Sequence, residues 1–197
     1  SQNPESSFAH IPGLKIVCPA TPADAKGLLV SSIEDPNPVL YFEHKHLYRR
    51  IKDEVPDERY TVPFGEARIH RDGDDITVVT WGAMVYTADE AAKQMDSEGI
   101  SVEIIDLRTL VPWDKEAVLR SLQKTSKVLV LHEDTRTGGF GAEIAATITE
   151  EAFENLDAPV KRIAAPDAPV PFSPPLEKAY IPQVDDVVAG IKDLAEY

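Results

Sequence analysis

The sequence predicts an α/β fold: a mostly parallel sheet covered by helices in a three-layer arrangement, preceded by the tail of another α/β domain. Short apolar runs typical of buried strands alternate with segments of helical periodicity along most of the chain. A strand, a helix and a second strand come close to the start, and a charged stretch with two prolines, 45–65, follows them. We therefore expect residues 1–60 to be the tail of one domain plus a linker, and residues 61–197 to form a second domain.

The N-terminal unit begins with the apolar run 14–18, which predicts a buried strand. Thr21 is placed to cap the following helix, because Pro22 occupies the first helical position, where the missing N–H costs nothing. The sequence Asp-Pro-Asn-Pro at 35–38 predicts the end of that helix, and residues 39–42 predict the next strand.

The rest of the chain continues this alternation. Apolar runs bounded by turn residues predict strands, and the segments between them have helical spacing. Strands are expected at 76–81, 102–107, 127–132 and 160–164, and helices at 84–97, 114–125, 140–155 and 182–195. Asp114 is expected to cap the second of these helices.

The composition limits the function classes. A formal net charge of −14 argues against a nucleic-acid or anionic-membrane surface, since phosphate binding depends on clustered Lys and Arg. Residues 133–197 hold 13 Asp and Glu against 5 Lys and Arg; this favours a basic protein partner, although acidity can also serve solubility alone. No apolar run reaches the ~18 residues of a membrane span, and the start of the chain lacks signal-peptide features. The single cysteine, Cys18, predicts a buried thiol in a reducing compartment, the cytoplasm or, in a eukaryote, the mitochondrial matrix.

His132 and Glu133 stand at the carboxyl end of a predicted parallel strand, where ligand sites of open α/β sheets gather. Such a pair can act as acid, base or metal ligand. Neighbouring strand residues point to opposite faces, however, so a structural hydrogen-bonding role is favoured over catalysis. The glycine loop 137–141 could offer amides to a phosphate, but it matches no known phosphate-binding pattern; a tight turn that lets Phe140 pack is favoured.

The other histidines give weaker signals. His44 and His46 alternate as on a strand and could face one side, but two histidines without a third ligand are poor support for a metal site. His10 is expected either to support a nearby active site or, the favoured alternative, to be a packed polar residue. His70 has no partner signal.

Ordered sequence blocks extend over nearly the whole chain. They are PGLKIVCP at 12–19, TPADAKGLL at 21–29, IEDPNP at 33–38, YFEHKHLYR at 41–49, IDLRTLVPWD at 105–114, HE at 132–133, TGGF at 137–140 and AYIP at 179–182. In these blocks the chain resembles the beta subunits of the thiamine-diphosphate-dependent 2-oxo acid dehydrogenases, most closely the branched-chain (2-oxoisovalerate) type. The resemblance implies a C-terminal domain of transketolase C-terminal fold and, before this chain, a pyrimidine-binding region whose active-site histidine falls immediately before Ser1.

The resemblance also implies an activity. Enzymes of that family decarboxylate branched-chain 2-oxo acids and reductively acylate lipoyl groups, with thiamine diphosphate and magnesium held outside the part that this chain matches. The chain is therefore expected to contain no catalytic and no cofactor-binding residue, and to be inactive alone. Its expected partners are an alpha subunit, a second beta subunit in an alpha2-beta2 tetramer, and the preceding N-terminal part of beta.

Two further sites are implied by the resemblance. One is a structural potassium ion at Ser32, Ile33, Asp35 and Asn37. The residues alone allow such a site, because the last carbonyls of the helix lack partners and two prolines fix the turn, so that several oxygens could converge. An ordinary turn is the alternative.

The other is a docking surface for the small basic subunit-binding domain of the acyltransferase. The resemblance places Asp157 and the terminal carboxylate of Tyr197 there. Residues 143–157 hold five carboxylates and no Lys or Arg, and Glu150, Glu154 and Asp157 share one face if the helix continues that far. A merely solvated face is the alternative.

Two other functions stay open at this point. One is a pyruvate-type or acetoin-type beta subunit, which activity on linear or branched substrates would distinguish. The other is a non-catalytic interaction module of transketolase C-terminal fold. The N-terminal half-sheet argues against this module, because its unpaired edges would promote aggregation.

Overall fold

The computed structural model describes residues 3–197 and contains eight strands and seven α-helices. The strands are β1 Lys15–Val17, β2 Val39–Tyr41, β3 Arg68–Arg71, β4 Ile76–Thr80, β5 Val102–Asp106, β6 Thr109–Val111, β7 Val128–Thr135 and β8 Lys161–Ala165. The helices are α1 Glu5–Ala9, α2 Pro22–Glu34, α3 Met84–Asp96, α4 Lys115–Thr125, α5 Phe140–Ala152, α6 Pro174–Tyr180 and α7 Val184–Ala195.

The larger sheet has the strand order β3-β5-β4-β7-β8, in which β3 alone is antiparallel to its neighbour. One face, with Val79, Ile105 and Val130, packs against α4, α5 and the β1 segment. The opposite face, with Ile104 and Leu129, packs against α3 and α7. The predicted α/β class, with a mostly parallel sheet in three layers, is confirmed.

The smaller sheet has the order β2-β1-β6, with β1 and β2 parallel and β6 antiparallel to β1. β6 comes from the later part of the chain, so residues 109–111 join the sheet that the first 42 residues begin. Ile16 and Cys18 of this region also belong to the same buried cluster as Val79. The division of the chain at residue 60 stays a prediction.

Both predicted helix caps are confirmed. The Thr21 side chain accepts a hydrogen bond from the Asp24 N–H at 3.1 Å and begins α2. The Asp114 carboxylate accepts from the Ala117 N–H at 2.9 Å and begins α4. Each cap satisfies one of the N–H groups that have no partner within the helix.

Four elements were not predicted from the sequence: α1, β3, β6 and α6. β3 (RIHR) is largely charged, β6 has three residues, and α6 begins with two prolines that suggest a loop. The stretch predicted as a linker is in contact with α2, since the Val62 N–H donates to the Gly27 carbonyl at 3.2 Å and a Cβ at Gly27 would overlap the Val62 side chain. This explains why glycine occupies that position in α2.

Candidate functional site

Four charged residues form a cluster between the two sheets, which we call the inter-sheet cluster: Asp24, Arg68, Asp106 and Arg108. Arg68 contacts Asp106 at 3.1 Å and Asp24 at 3.5 Å, and Arg108 contacts Asp24 at 2.9 Å. Asp106 is fully buried; burial raises its pKa to about 6, although the Arg68 guanidinium opposes the rise. The cluster joins α2 to β3 and β5 by paired charges, and its role is structural.

The predicted potassium turn follows α2. The Asn37 N–H and side-chain amide donate to Asp35 Oδ1 at 2.8 and 3.1 Å, and the Lys15 ammonium pairs with Asp35 Oδ2. The hydrogen bond from Lys15 is the main cause that lowers the pKa of Asp35. The carboxylate at this turn is therefore already paired with a cation.

Backbone oxygens remain at the same turn. The carbonyl of Ser32 would accept from residue 36 in a continued helix, but Pro36 has no N–H. The carbonyl of Ile33 would accept from the Asn37 N–H, which donates to Asp35 instead. Both carbonyls thus lack the helical partners they would otherwise have, and this donor set of neutral oxygens suits a hard monovalent cation. Within residues 3–197, no group of three or more His, Cys, Asp or Glu side chains could hold a metal ion.

The predicted docking residues do not lie on one helix. α5 ends at Ala152, where the backbone leaves helical geometry, and a short 3₁₀ turn follows at Phe153–Asn155. Glu150, Glu154 and Asp157 are all exposed. They were expected to share one face only if the helix continued to Asp157, and it does not. The physical reason is that the chain must turn here to enter β8.

Tyr197 is exposed and lies beside a groove of roughly 590 Å³ that Arg136, Lys161 and Arg162 also line. Lys161 pairs with Asp193 of α7. Asp193 and Glu196 line the groove as well, so the terminal residue has neighbours of both charges.

His132 is buried, 1% exposed, and its ring stacks on the Trp81 ring with a centroid distance of 5.4 Å and an interplanar angle of 8°. Neither ring nitrogen has a hydrogen-bond partner among residues 3–197. Burial lowers its pKa to about 4, so the imidazole is neutral. The hydrogen-bonding role expected for His132 is thus wrong within the described chain: the residue packs instead.

Glu133 points away from His132 and has its own partners, as expected for neighbours on a strand. Its Oε2 lies 2.8 Å from His44 Nε2 and accepts from the Asn3 amide at 3.1 Å. Burial is the largest cause acting on the pKa of Glu133 and acts to raise it, but the contacts with His44 and the hydrogen bond from Asn3 together outweigh it, and the pKa is lowered. This contact joins the segment after β2 to β7.

The glycine loop serves packing. A Cβ at Gly139 or Gly141 would overlap the His132 ring, and Phe140 is buried edge-on against Trp81 at 6.3 Å. The prediction of a tight turn that lets Phe140 pack is confirmed.

Glu5 is a candidate functional residue that was not predicted from the sequence. It is 4% exposed, and its Oε1 accepts from Trp81 Nε1 at 3.0 Å. We call Glu5, Trp81 and His132 the His132 cluster. A lone glutamate in a short polar segment gives no periodic signal, and its partner lies 76 residues away.

The other histidines and the single cysteine lie outside the two named clusters. His44 and His46 do not share a strand face, because β2 ends at Tyr41 and His46 precedes a 3₁₀ turn. His70 lies 3.9 Å from Asp89. Cys18 is buried, and burial raises the pKa of its thiol well above the usual value, as expected of a structural cysteine.

Family comparison agrees with the architecture. The model of the transketolase C-terminal domain matches residues 65–187, and the model of the transketolase pyrimidine binding domain matches residues 1–51. The chain belongs to the transketolase C-terminal domain family. A solved structure of a split-gene transketolase, described as an inactive beta4 tetramer, shares this fold with a TM-score of 0.80 and 27% identity, over 97% of this chain and 60% of that one.

Curated relatives are more similar in sequence. The 2-oxoisovalerate dehydrogenase subunit beta of Bacillus subtilis is 50% identical over 100% of this chain and 61% of its own length. The acetoin:2,6-dichlorophenolindophenol oxidoreductase subunit beta of Cupriavidus necator is 46% identical over 94% of this chain and 54% of its own length. The chain thus spans somewhat more than half the length of these relatives. None of the helices within residues 3–197 is both long and apolar enough to cross a membrane.

Proposed function

We propose that this chain is the C-terminal part of the beta subunit of a 2-oxo acid dehydrogenase of the branched-chain type. The carrying observation is its 50% identity, over its whole length, to a 2-oxoisovalerate dehydrogenase subunit beta. In the assembled enzyme, thiamine diphosphate supplies the nucleophilic carbon and electron sink for decarboxylation. The proposal assigns that cofactor and its magnesium to other parts of the enzyme, and gives this chain the tasks of scaffold, subunit assembly and docking.

The chain should release no carbon dioxide from 2-oxo acids alone. We expect turnover only when it is combined with an alpha subunit and the N-terminal part of beta, with 3-methyl-2-oxobutanoate preferred over pyruvate or acetoin. A preference for acetoin would favour the acetoin-type alternative, since that relative is only slightly less similar at 46% identity. Decarboxylation by the chain alone, at the rate of the assembled enzyme, would refute the proposal.

A non-catalytic assembly role is the second candidate, because the structurally similar split-gene transketolase is described as an inactive beta4 tetramer. Analytical ultracentrifugation with and without the alpha subunit distinguishes the two. A stable complex of this chain with itself that does not take up the alpha subunit would support the second candidate.

The potassium site is part of the proposal. It is supported by the two carbonyls of Ser32 and Ile33 that lose their helical partners, next to Asp35 and the Asn37 amide. Because Lys15 already pairs with Asp35, a bound cation would depend mainly on carbonyl dipoles. We expect a higher melting temperature in potassium than in a matched concentration of a large organic cation, and Asn37→Ala should remove most of the difference. An equal melting temperature in both salts would contradict the site.

Docking of a basic subunit-binding domain is proposed at Asp157 and Tyr197, with Glu154 of the 3₁₀ turn and Glu150 in the last turn of α5 as further contributors. Exposed charges are screened, so binding should weaken with salt. Calorimetric titration at two ionic strengths tests this. Binding that is unchanged by salt, by Asp157→Lys and by removal of Tyr197 would place docking elsewhere.

A further inference from the structure

Residues 3–9, which we call the latch, lie over the carboxyl ends of β4 and β7 and are held there by three polar contacts. The Asn3 amide donates to Glu133 at 3.1 Å, the Ser6 hydroxyl to Asp134 at 2.7 Å, and Trp81 donates to Glu5 at 3.0 Å. On its apolar side, Phe8 lies 6.0 Å from Phe42, centroid to centroid. Glu5 is the central contact of the three and the only buried residue of α1.

We propose that the latch is a proton-controlled closure: it stays docked while Glu5 is protonated and opens when Glu5 ionises. The proposal concerns this chain alone and does not rest on the proposed function.

The geometry disfavours a charge on Glu5. Its Oε2 is buried and has no hydrogen-bond partner among residues 3–197, so an ionised carboxylate would keep an unsolvated oxygen. No Lys or Arg is paired with Glu5 among the described ion pairs, whereas Glu133 has His44. A protonated carboxyl can still accept from Trp81 Nε1 through its carbonyl oxygen, so the contact to β4 survives in the neutral form.

The charged and titratable groups around Glu5 act in the same direction. On β7, Glu133 and Asp134 face it, and their negative charges oppose its ionisation. Cys18, just after β1, is a neutral thiol and His132 of β7 a neutral imidazole, so neither adds a charge near Glu5. The carboxylate of Glu143 on α5 lines the same groove as Ser6, but it is exposed, so water screens its charge from Glu5. Burial is the largest cause that raises the pKa of Glu5, and the hydrogen bond from Trp81 only partly offsets it.

Docking of the latch should weaken as the pH rises. The pKa of Glu5 is raised in the docked state above the ordinary 4.5, so docking is most favourable below that value and is weakened as pH rises through the raised pKa. Each unit of the rise makes opening about tenfold easier at high pH.

The test is hydrogen exchange of the amides of the latch in the 197-residue chain, measured from about pH 5 to about pH 9 and corrected for the intrinsic rate. In the wild type we expect protection to fall across this range, by about tenfold for each pKa unit by which docking raises the pKa of Glu5. Glu5→Gln keeps an oxygen that can accept from Trp81 but cannot ionise, so its protection should stay nearly constant.

The matched control is Glu143→Gln, the same change on an exposed carboxylate that lines the groove beside the latch; it should behave as the wild type. Asp134→Asn removes a facing negative charge but keeps a side-chain oxygen that can accept from Ser6. The pKa of Glu5 should then be raised less, so the fall in protection should be smaller and occur at lower pH. Asp134→Asn also serves as the second variant should Glu5→Gln fail to fold. A flat wild-type profile, or the same pH dependence in Glu5→Gln as in the wild type, would overturn the proposal.

Discussion

In the inter-sheet cluster, two arginines lie against two buried aspartates, whereas in the His132 cluster a neutral imidazole is stacked on an indole beside a carboxyl group. Both clusters join the N-terminal region to the larger sheet. The first places opposite charges in contact, and it is destabilised when one partner is removed. The second avoids charge, since burial disfavours the ionised form of both Glu5 and His132. Polar groups at such a junction can thus be buried either by pairing opposite charges or by keeping the groups neutral. The stability of the two arrangements responds differently to mutation and pH.

The largest effect is expected from Arg68→Met. This change leaves Asp106 buried without its 3.1 Å partner, and should lower the free energy of unfolding by about 3 kcal/mol, the lower end for a buried pair. Urea denaturation measures the loss. The matched control is Arg71→Met on the same strand, because Arg71 pairs with the exposed Asp96; a loss as large as that of Arg68→Met would show that the buried charge is not the cause.

Gly141→Ala should break the neutral cluster by crowding. The added Cβ would overlap the His132 ring, which is fixed by its stack on Trp81, and we expect a loss of about 2 kcal/mol. His132→Ala in the same chain should relieve the overlap, so the two losses should not add. Fully additive losses in denaturant melts would contradict the contact.

Asp106 of the inter-sheet cluster and His132 should respond to pH with opposite sign. The Asp106 pKa is raised to about 6, so its contribution to stability is present at low pH and lost as pH rises through 6. The His132 pKa is lowered to about 4, so its contribution is present above the ordinary value and lost as pH falls towards 4. Melting temperatures of Asp106→Asn and His132→Phe across this range measure the difference.

Asp106→Asn should gain on the wild type as the pH increases, and His132→Phe should gain on it as the pH decreases. If both variants shift in the same direction with pH, the opposite pKa shifts assigned to Asp106 and His132 are wrong.

The smallest effect is expected from Lys15→Met. Its partner Asp35 lies in an accessible turn, where water and salt screen the pair. The change in melting temperature should be slight at low salt and absent at high salt. A loss comparable to that of Arg68→Met would mean that this turn is coupled to the core.

The sequence by itself determined the local elements with strong periodicity or capping. Thr21 and Asp114 begin their helices as predicted, because the capping hydrogen bond is made to a residue three positions along the chain. The buried strands β4, β5 and β7 follow from continuous apolar runs, which need two covered faces. The family, too, could be inferred from ordered blocks such as IDLRTLVPWD.

Only the tertiary structure decided which distant residues meet. Glu5 reaches Trp81, β6 returns to β1, and the glycines at 139 and 141 give room for the His132 ring. None of these contacts has a sequence period, because each is set by how separate elements pack and not by spacing along the chain. For the same reason the proposed docking residues near Asp157 could not be grouped from helical spacing: the helix ends at Ala152, where the chain turns towards β8.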